Sequence, residues 1–132
     1  MTFSAFAWHT EDHWNSAVNF NHFGEPKIWY CVPARDAHKL EAAMRKYHHG
    51  EVESDELVHH VTTTLNPHLL INEGVSVSRA EQNPGEYIFQ FPRCYHTGFN
   101  SGFNFCEAVN YSTACWAHMG RMSLSNYRRV KR

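Results

Sequence analysis

Long apolar runs are missing from this sequence. None approaches the roughly 20 residues that a membrane-spanning helix needs. The opening stretch, Met1-Thr2-Phe3-Ser4-Ala5-Phe6, lacks the basic flank of a secretory signal. Neither sign of charge dominates: 12 basic and 13 acidic residues leave a formal net charge of −1. Charge alone therefore does not point to nucleic acid. Paired CxxC spacing is absent too. Cys31, Cys94, Cys106 and Cys115 stand apart, which excludes a zinc knuckle or a thioredoxin-like redox motif. They read as reduced, mostly buried thiols of an intracellular protein. No repeat, linker or low-complexity block divides the chain.

What is plentiful is apolar and aromatic material. Hydrophobic residues make up 42% and aromatics 14% of 132 residues, so global disorder is excluded and one domain with one core is expected. The first third reads as strand. Phe3, Ala5, Ala7, His9 and Glu11 share one parity, with Phe6 and Trp8 on the other. Val18 to His22 and Lys27 to Val32 follow as short runs split by Gly24-Glu25-Pro26. The middle reads as helix. Leu40, Ala43, Met44 and Tyr47 fall at i, i+3, i+4 and i+7, with Gly50 as a stop. A short helix is expected at Glu56–Val61, and another starting at Asn66-Pro67 and closed by Gly74. Strand patterns then return. Val75 and Val77 alternate, as do Tyr87, Phe89 and Phe91, and then Phe103, Phe105 and Val109 against Asn104, Cys106, Ala108 and Asn110. A packing helix from about Thr113 to Tyr127 carries Trp116, Met119 and Leu124, weakened by Gly120. Strands at both ends with helices between them predict a mainly β protein, a sandwich or jelly roll with inserted and C-terminal helices.

The 11 histidines are the chemically suggestive feature. In His9-Thr10-Glu11, residues i and i+2 of a strand project from one face and can grip one ion. A second copy, His49-Gly50-Glu51, follows a helix and has no strand to align it. His96 sits in Tyr95-His96-Thr97-Gly98-Phe99-Asn100, downstream of Phe91-Pro92-Arg93, where Gly98 and Gly102 permit close approach. Two imidazoles and a carboxylate at one point make the facial triad of a non-haem Fe(II) oxygenase. Lys27, among aromatics and on one face with Trp29, is either an exposed lysine or a partner for an anionic ligand. Asn19 is a ligand contact or a structural clamp. The pairs His48-His49 and His59-His60 suit only adventitious nickel or zinc. The tail Arg128-Arg129-Val130-Lys131-Arg132 is a solvated helix end or a contact for DNA or an acidic partner.

Four blocks taken together carry a resemblance. Phe6-Ala7-Trp8-His9-Thr10-Glu11-Asp12-His13-Trp14, His22-Phe23-Gly24-Glu25-Pro26-Lys27-Ile28-Trp29-Tyr30, Pro84-Gly85-Glu86-Tyr87 and Phe91 to Asn104 resemble the JmjC domain of histone lysine demethylases, from about Phe3 to Arg129. Glu11-Asp12-His13-Trp14, Phe105-Cys106-Glu107-Ala108-Val109-Asn110 and Gly120-Arg121 are closest to the JARID1 subfamily, which acts on the methylated lysine at position four of histone H3. The resemblance implies a double-stranded β-helix of the cupin type. It implies Fe(II) on His9, Glu11 and His96, with 2-oxoglutarate and O₂ as co-substrates. Asn19 would lie near the 2-oxo acid end, Lys27 would pair with the distal carboxylate, and Trp29 and Phe6 would wall the pocket. Phe6 has the wrong parity relative to His9, so a bend near Trp8 is required. Asn100, Ala108 and Asn110 would line the methyl-lysine side.

The implied reaction is hydroxylation of an N-methyl group with release of formaldehyde, on a methylated histone H3 tail, in the nucleus. No membrane and no direct nucleic-acid contact is implied. Another 2-oxoglutarate-dependent protein hydroxylase, or a non-catalytic JmjC-like binding module, are the competing expectations. The family has a serine where this chain has Ala17. It also has earlier strands, a tyrosine that helps hold the distal carboxylate, and a JmjN segment. Residues 1–132 are therefore expected to be the core of a longer parent protein with further domains, leaving an open sheet edge.

Overall fold

Two antiparallel sheets account for most of the ordered backbone in the computed structural model, which describes residues 4–47 and 64–130. The helix expected at Glu56–Val61, the second His-x-Glu copy and His48, His59 and His60 lie outside the described residues. The strands are β1 (Phe6–His9), β2 (Ser16–Gly24), β3 (Lys27–Val32), β4 (Ser78–Gln82), β5 (Tyr87–Gln90), β6 (Tyr95–Asn100) and β7 (Asn104–Tyr111). The helices are α1 (Ala37–Tyr47), α2 (Pro67–Asn72) and α3 (Trp116–Val130). One sheet runs β1-β6-β3-β4 and the other β5-β2-β7, the arrangement of a cupin-like jelly roll.

Alternation decides which faces meet. On β2, Ala17, Asn19 and Asn21 are buried, while Val18 and Phe20 are half-buried and His22 is exposed. On β5, Gln90 is buried and Tyr87 and Phe89 are exposed. The small sheet therefore turns a polar face inward and an aromatic face outward, the reverse of the usual pattern. Buried hydrogen bonds bridge the sheets. Gln82 on β4 accepts from Trp29 Nε1 (2.9 Å) and donates to the carbonyls of Asn19 (3.1 Å) and Glu86 (3.1 Å). Asn21 donates to the Gln82 carbonyl (3.4 Å). Such a network survives burial because its members are largely paired.

The apolar core sits on the other side of the large sheet. Trp8, Val32 and Tyr95 pack against Leu40, Ala43 and Met44 of α1 and Leu70 of α2. The i, i+3, i+4 spacing places those α1 residues on one stripe, as the sequence predicts. Asn66 caps α2 by accepting from the His68 N–H (2.9 Å), with Pro67 in the first turn. Gly74, at φ +75°, ends it: Gly74 N–H reaches the Ile71 carbonyl and Val75 N–H the Leu70 carbonyl, a Schellman closure.

That closure overturns one expectation. Val75 and Val77 do not form a strand; β4 begins at Ser78. Val75 is held by the cap and buried beside Leu70, the apolar contact that accompanies this motif. Leu124 on α3 is half exposed rather than packed, whereas Trp116 turns back and donates its indole N–H to the His13 carbonyl (3.0 Å). Gly120 is no weakness there, because a Cβ would collide with the Trp116 ring. Three of the cysteines are half-buried and Cys115 is exposed, a wetter setting than expected; all four are free thiols.

Leu40 is fully buried at the centre of the core. Leu40→Ala should cost about 2–5 kcal/mol of stability, read from chemical denaturation curves. A loss below about 1 kcal/mol would show that α1 does not anchor the large sheet.

Candidate metal centre

The site begins with an irregularity in β1. Phe6 pairs with Gly98 and His9 with His96. Three steps along β1 thus match two along β6, which is a β-bulge. A regular strand would send Phe6 and His9 to opposite faces. The extra residue turns both inward while Trp8 points into the apolar core. Thr97 Oγ1 donates to the Phe6 carbonyl (2.5 Å), occupying an acceptor at the bulge. Gly98 makes room for the Phe6 ring, since a Cβ there would strike both that ring and the Ile28 carbonyl. The bend expected near Trp8 is therefore present.

Glu11 arrives by a different route from the expected one. β1 ends at His9, and Glu11 lies beyond it, extended (φ −67°, ψ 155°), at the entry to the 3-10 turn Asp12–Trp14. The strand's i, i+2 rule does not place it; the turn does. His96 is on β6, and the tight turn before it is held by Arg93. Arg93 has φ +59°, stacks over Trp14 at 4.4 Å and pairs with Glu41 at 3.6 Å.

The ligand atoms of His9, Glu11 and His96 lie within 4.8 Å of one another. The two imidazole centroids are 4.2 Å apart, and His96 Nε2 is 3.3 Å from Glu11 Oε1. His9 Nδ1 is 2.9 Å from the Ala7 carbonyl and His96 Nδ1 is 3.1 Å from the Cys94 carbonyl. A carbonyl only accepts, so each Nδ1 carries a proton, and each Nε2 is left as the nitrogen that can bind an ion once it is deprotonated. Metal-binding histidines need that tautomer. Burial, then the neighbouring His96, pushes His9 below its ordinary pKa and keeps it neutral. The hydrogen bond with His96 chiefly holds Glu11 below the usual carboxylate range. Asn110 Nδ2 donates to Glu11 Oε2 (3.0 Å), fixing the carboxylate. His96 is buried and His9 exposed, so the cluster is backed by protein and open on one side. Two imidazoles and one carboxylate fit Fe(II), with positions left for exogenous ligands.

The remaining expected residues divide in two. Lys27 Nζ lies 5.6 Å from the centre of the Phe6 ring and 5.9 Å from that of Trp29, and these rings touch edge to face at 5.2 Å. Asn100, expected beside the substrate, instead accepts from Lys27 Nζ (2.6 Å). Asn19 is buried on the inner face of β2, and its Oδ1 has no hydrogen-bond partner. Ala108 and Asn110 share the inner face of β7, with Asn110 on the metal ligand Glu11. Sequence reasoning missed Gln82 and Gln90. The alternation that puts Tyr87 and Phe89 on one face also puts Gln90 on the other, and that signal was available.

Asn110→Ala leaves the fold alone, because Asn110 is exposed, but frees Glu11. Mn(II) affinity, titrated by calorimetry, should fall about 10–100-fold. His96→Ala should abolish measurable binding under the same conditions. Unchanged affinity in both variants would mean that these residues hold no ion.

Comparison with known proteins agrees with this geometry. The family model described as JmjC domain, hydroxylase, matches residues 1–111. The chain is 47% identical over its whole length to "Lysine-specific demethylase 5D" of Homo sapiens and to "Lysine-specific demethylase 5B" of Gallus gallus. It is 48% identical to "Lysine-specific demethylase rbr-2" of Caenorhabditis briggsae. The chain spans 9% of the length of each of these relatives. A match over most of the sequence, on the fold and the donor set already described, makes this chain a member of the JmjC domain family.

Proposed function

We propose that this chain is the catalytic core of an Fe(II)- and 2-oxoglutarate-dependent oxygenase that removes methyl groups from lysine in a histone H3 tail, within a longer nuclear protein. The observation that carries the proposal is the convergence of His9, Glu11 and His96 with both Nδ1 atoms already tied to carbonyls. The names of the relatives and the resemblance to the JARID1 branch support lysine demethylation. Among the described residues no helix is long and apolar enough to cross a membrane.

Bound iron supplies the oxygen chemistry, coupling decarboxylation of 2-oxoglutarate to hydroxylation of an N-methyl group that then leaves as formaldehyde. The protein supplies position. His9 Nε2, His96 Nε2 and Glu11 Oε1 hold the ion on one side and leave the other side open. Lys27 exchanges Asn100 for the distal carboxylate of 2-oxoglutarate, a charge-assisted contact at the end of the pocket. Phe6 and Trp29 wall that pocket and exclude water, which strengthens the ion pair. Asn19 brings a carboxamide whose Oδ1 is unpaired to the inner face. Ala108 and Asn110, on the exposed side of the metal, border the methyl-lysine. Their small size and neutral polarity suit a bulky cation that must lie close to Glu11.

The test uses the longer parent protein with a panel of methylated histone H3 peptides, followed by mass spectrometry and formaldehyde assay. Loss of methyl mass with stoichiometric formaldehyde is expected. A stable product heavier by one oxygen would reassign the protein as a hydroxylase. No 2-oxoglutarate consumption with any peptide would leave a binding module. Lys27→Ala should raise the 2-oxoglutarate requirement roughly ten- to a hundredfold with little change in maximal rate. A wild-type requirement in that variant would remove Lys27 from the site.

A further inference from the structure

Two cysteines that no spacing in the sequence joins meet beside the metal centre. Cys31 lies directly across from His96 where β3 pairs with β6, so the two side chains leave the large sheet on one face. Cys94 comes two residues before His96. In a regular pleat it would be a diagonal neighbour of Cys31, about 7–8 Å away, at the far edge of what a disulfide spans. The pleat is not regular there. Cys94 closes a tight turn, its N–H donating to the Phe91 carbonyl (3.0 Å), and Arg93 within that turn has φ +59°. The Cys94 sulfur thereby comes to β3, where the Cys31 thiol and the Val32 N–H both hydrogen-bond to it. Both cysteines are half-buried, so a small oxidant can reach them.

Cys94 has a second role. Its carbonyl accepts from His96 Nδ1 (3.1 Å). One residue therefore carries both a paired thiol and the group that orients a metal ligand. A disulfide fixes its sulfurs at about 2.05 Å, with a dihedral angle of roughly ±90° about the bond. That is closer than a thiol hydrogen bond brings them, so Cys94 must move, and its carbonyl moves with it. His96 is buried and is not free to follow. Its Nδ1 bond bends or breaks, and an imidazole without that support holds an ion less tightly.

We propose that Cys31 and Cys94 are a peroxide-sensitive dithiol, and that the disulfide they form loosens the metal centre through the bond between Cys94 and His96. This rests on the metal-centre reading and adds regulation to it. Hydrogen peroxide is the oxidant. One thiolate attacks a peroxide oxygen: an S–O bond forms, the O–O bond breaks, and hydroxide leaves and takes a proton to become water. The second thiolate attacks the sulfenic sulfur: the S–S bond forms, the S–O bond breaks, and a second hydroxide leaves as water. The two thiols give up two electrons and two protons, and peroxide is reduced to two waters. In a reducing compartment the pair rests as thiols, and a dithiol reductant reverses the link.

The test treats the metal-free chain with hydrogen peroxide, removes the excess, and reads peptide masses after non-reducing digestion and Mn(II) affinity by calorimetry. A linked Cys31–Cys94 peptide, lighter by two hydrogen atoms and split by dithiothreitol, is expected. Mn(II) affinity should fall about tenfold or more as the link forms and return on reduction. Cys31→Ser cannot form the link but keeps the Cys94 carbonyl, so its affinity should match reduced wild type before and after peroxide. Links to Cys106 or Cys115 instead, or separate oxidation of Cys31 and Cys94, would overturn the pairing. A complete link with Mn(II) affinity within about twofold of the reduced chain would overturn the switch. An equal loss of affinity in peroxide-treated Cys31→Ser would trace the loss to damage elsewhere and overturn it too. If the reduced wild type itself binds no Mn(II), the metal-centre reading fails and the switch with it, while the masses still decide whether the thiols pair.

Discussion

The pairing of His9 with His96 across β1 and β6 is the contact on which the site depends. It comes from backbone hydrogen bonding between an early strand and a late one, so the chain must fold before the cluster exists. The cost of assembling two imidazoles and a carboxylate in a half-buried place is offset by particular bonds. Each Nδ1 proton goes to a carbonyl two residues back in the chain. The carboxylate is steadied by Asn110 from the other sheet. The ligands are thus oriented by groups that do not themselves bind the ion, which is what keeps a labile divalent site selective in geometry.

The two sheets do different work. The large sheet has an apolar outer face, covered by α1 and α2, and this is where most of the hydrophobic stabilisation lies. Its inner face carries the two histidines, Lys27 and Trp29. The small sheet contributes little apolar burial and carries a row of buried amides on its inner face. Asn21 donates to the Gln82 carbonyl and Gln82 to the Asn19 carbonyl, while the side-chain oxygens of Asn19, Asn21 and Gln90 lack partners.

The triad was legible in the residues, yet the stated reason for half of it was not the operative one. Strand periodicity suggested that His9 and Glu11 share a face, but the strand stops at His9 and a 3-10 turn delivers Glu11. The helices were legible because their signals are local: the α1 stripe, the Asn66-Pro67 start and the Gly74 stop all lie within a few residues of what they control. Val75 misled because an apolar residue caught by a helix cap has the same spacing as one in a strand. Gly120 misled because its purpose lies in the Trp116 ring four residues earlier. The Lys27–Asn100 contact joins residues far apart in the chain, and no pattern in either segment announces it.

The surplus residue in β1 makes the metal site a matter of counting. Between Phe6 and His9 the backbone holds one position more than its partner strand. Substitutions at Ala7 change a side chain and leave that count intact. Loss of a single codon there would set two steps against two, restore regular pleating and still leave Phe6 and the first imidazole on one face with the indole of Trp8 on the other.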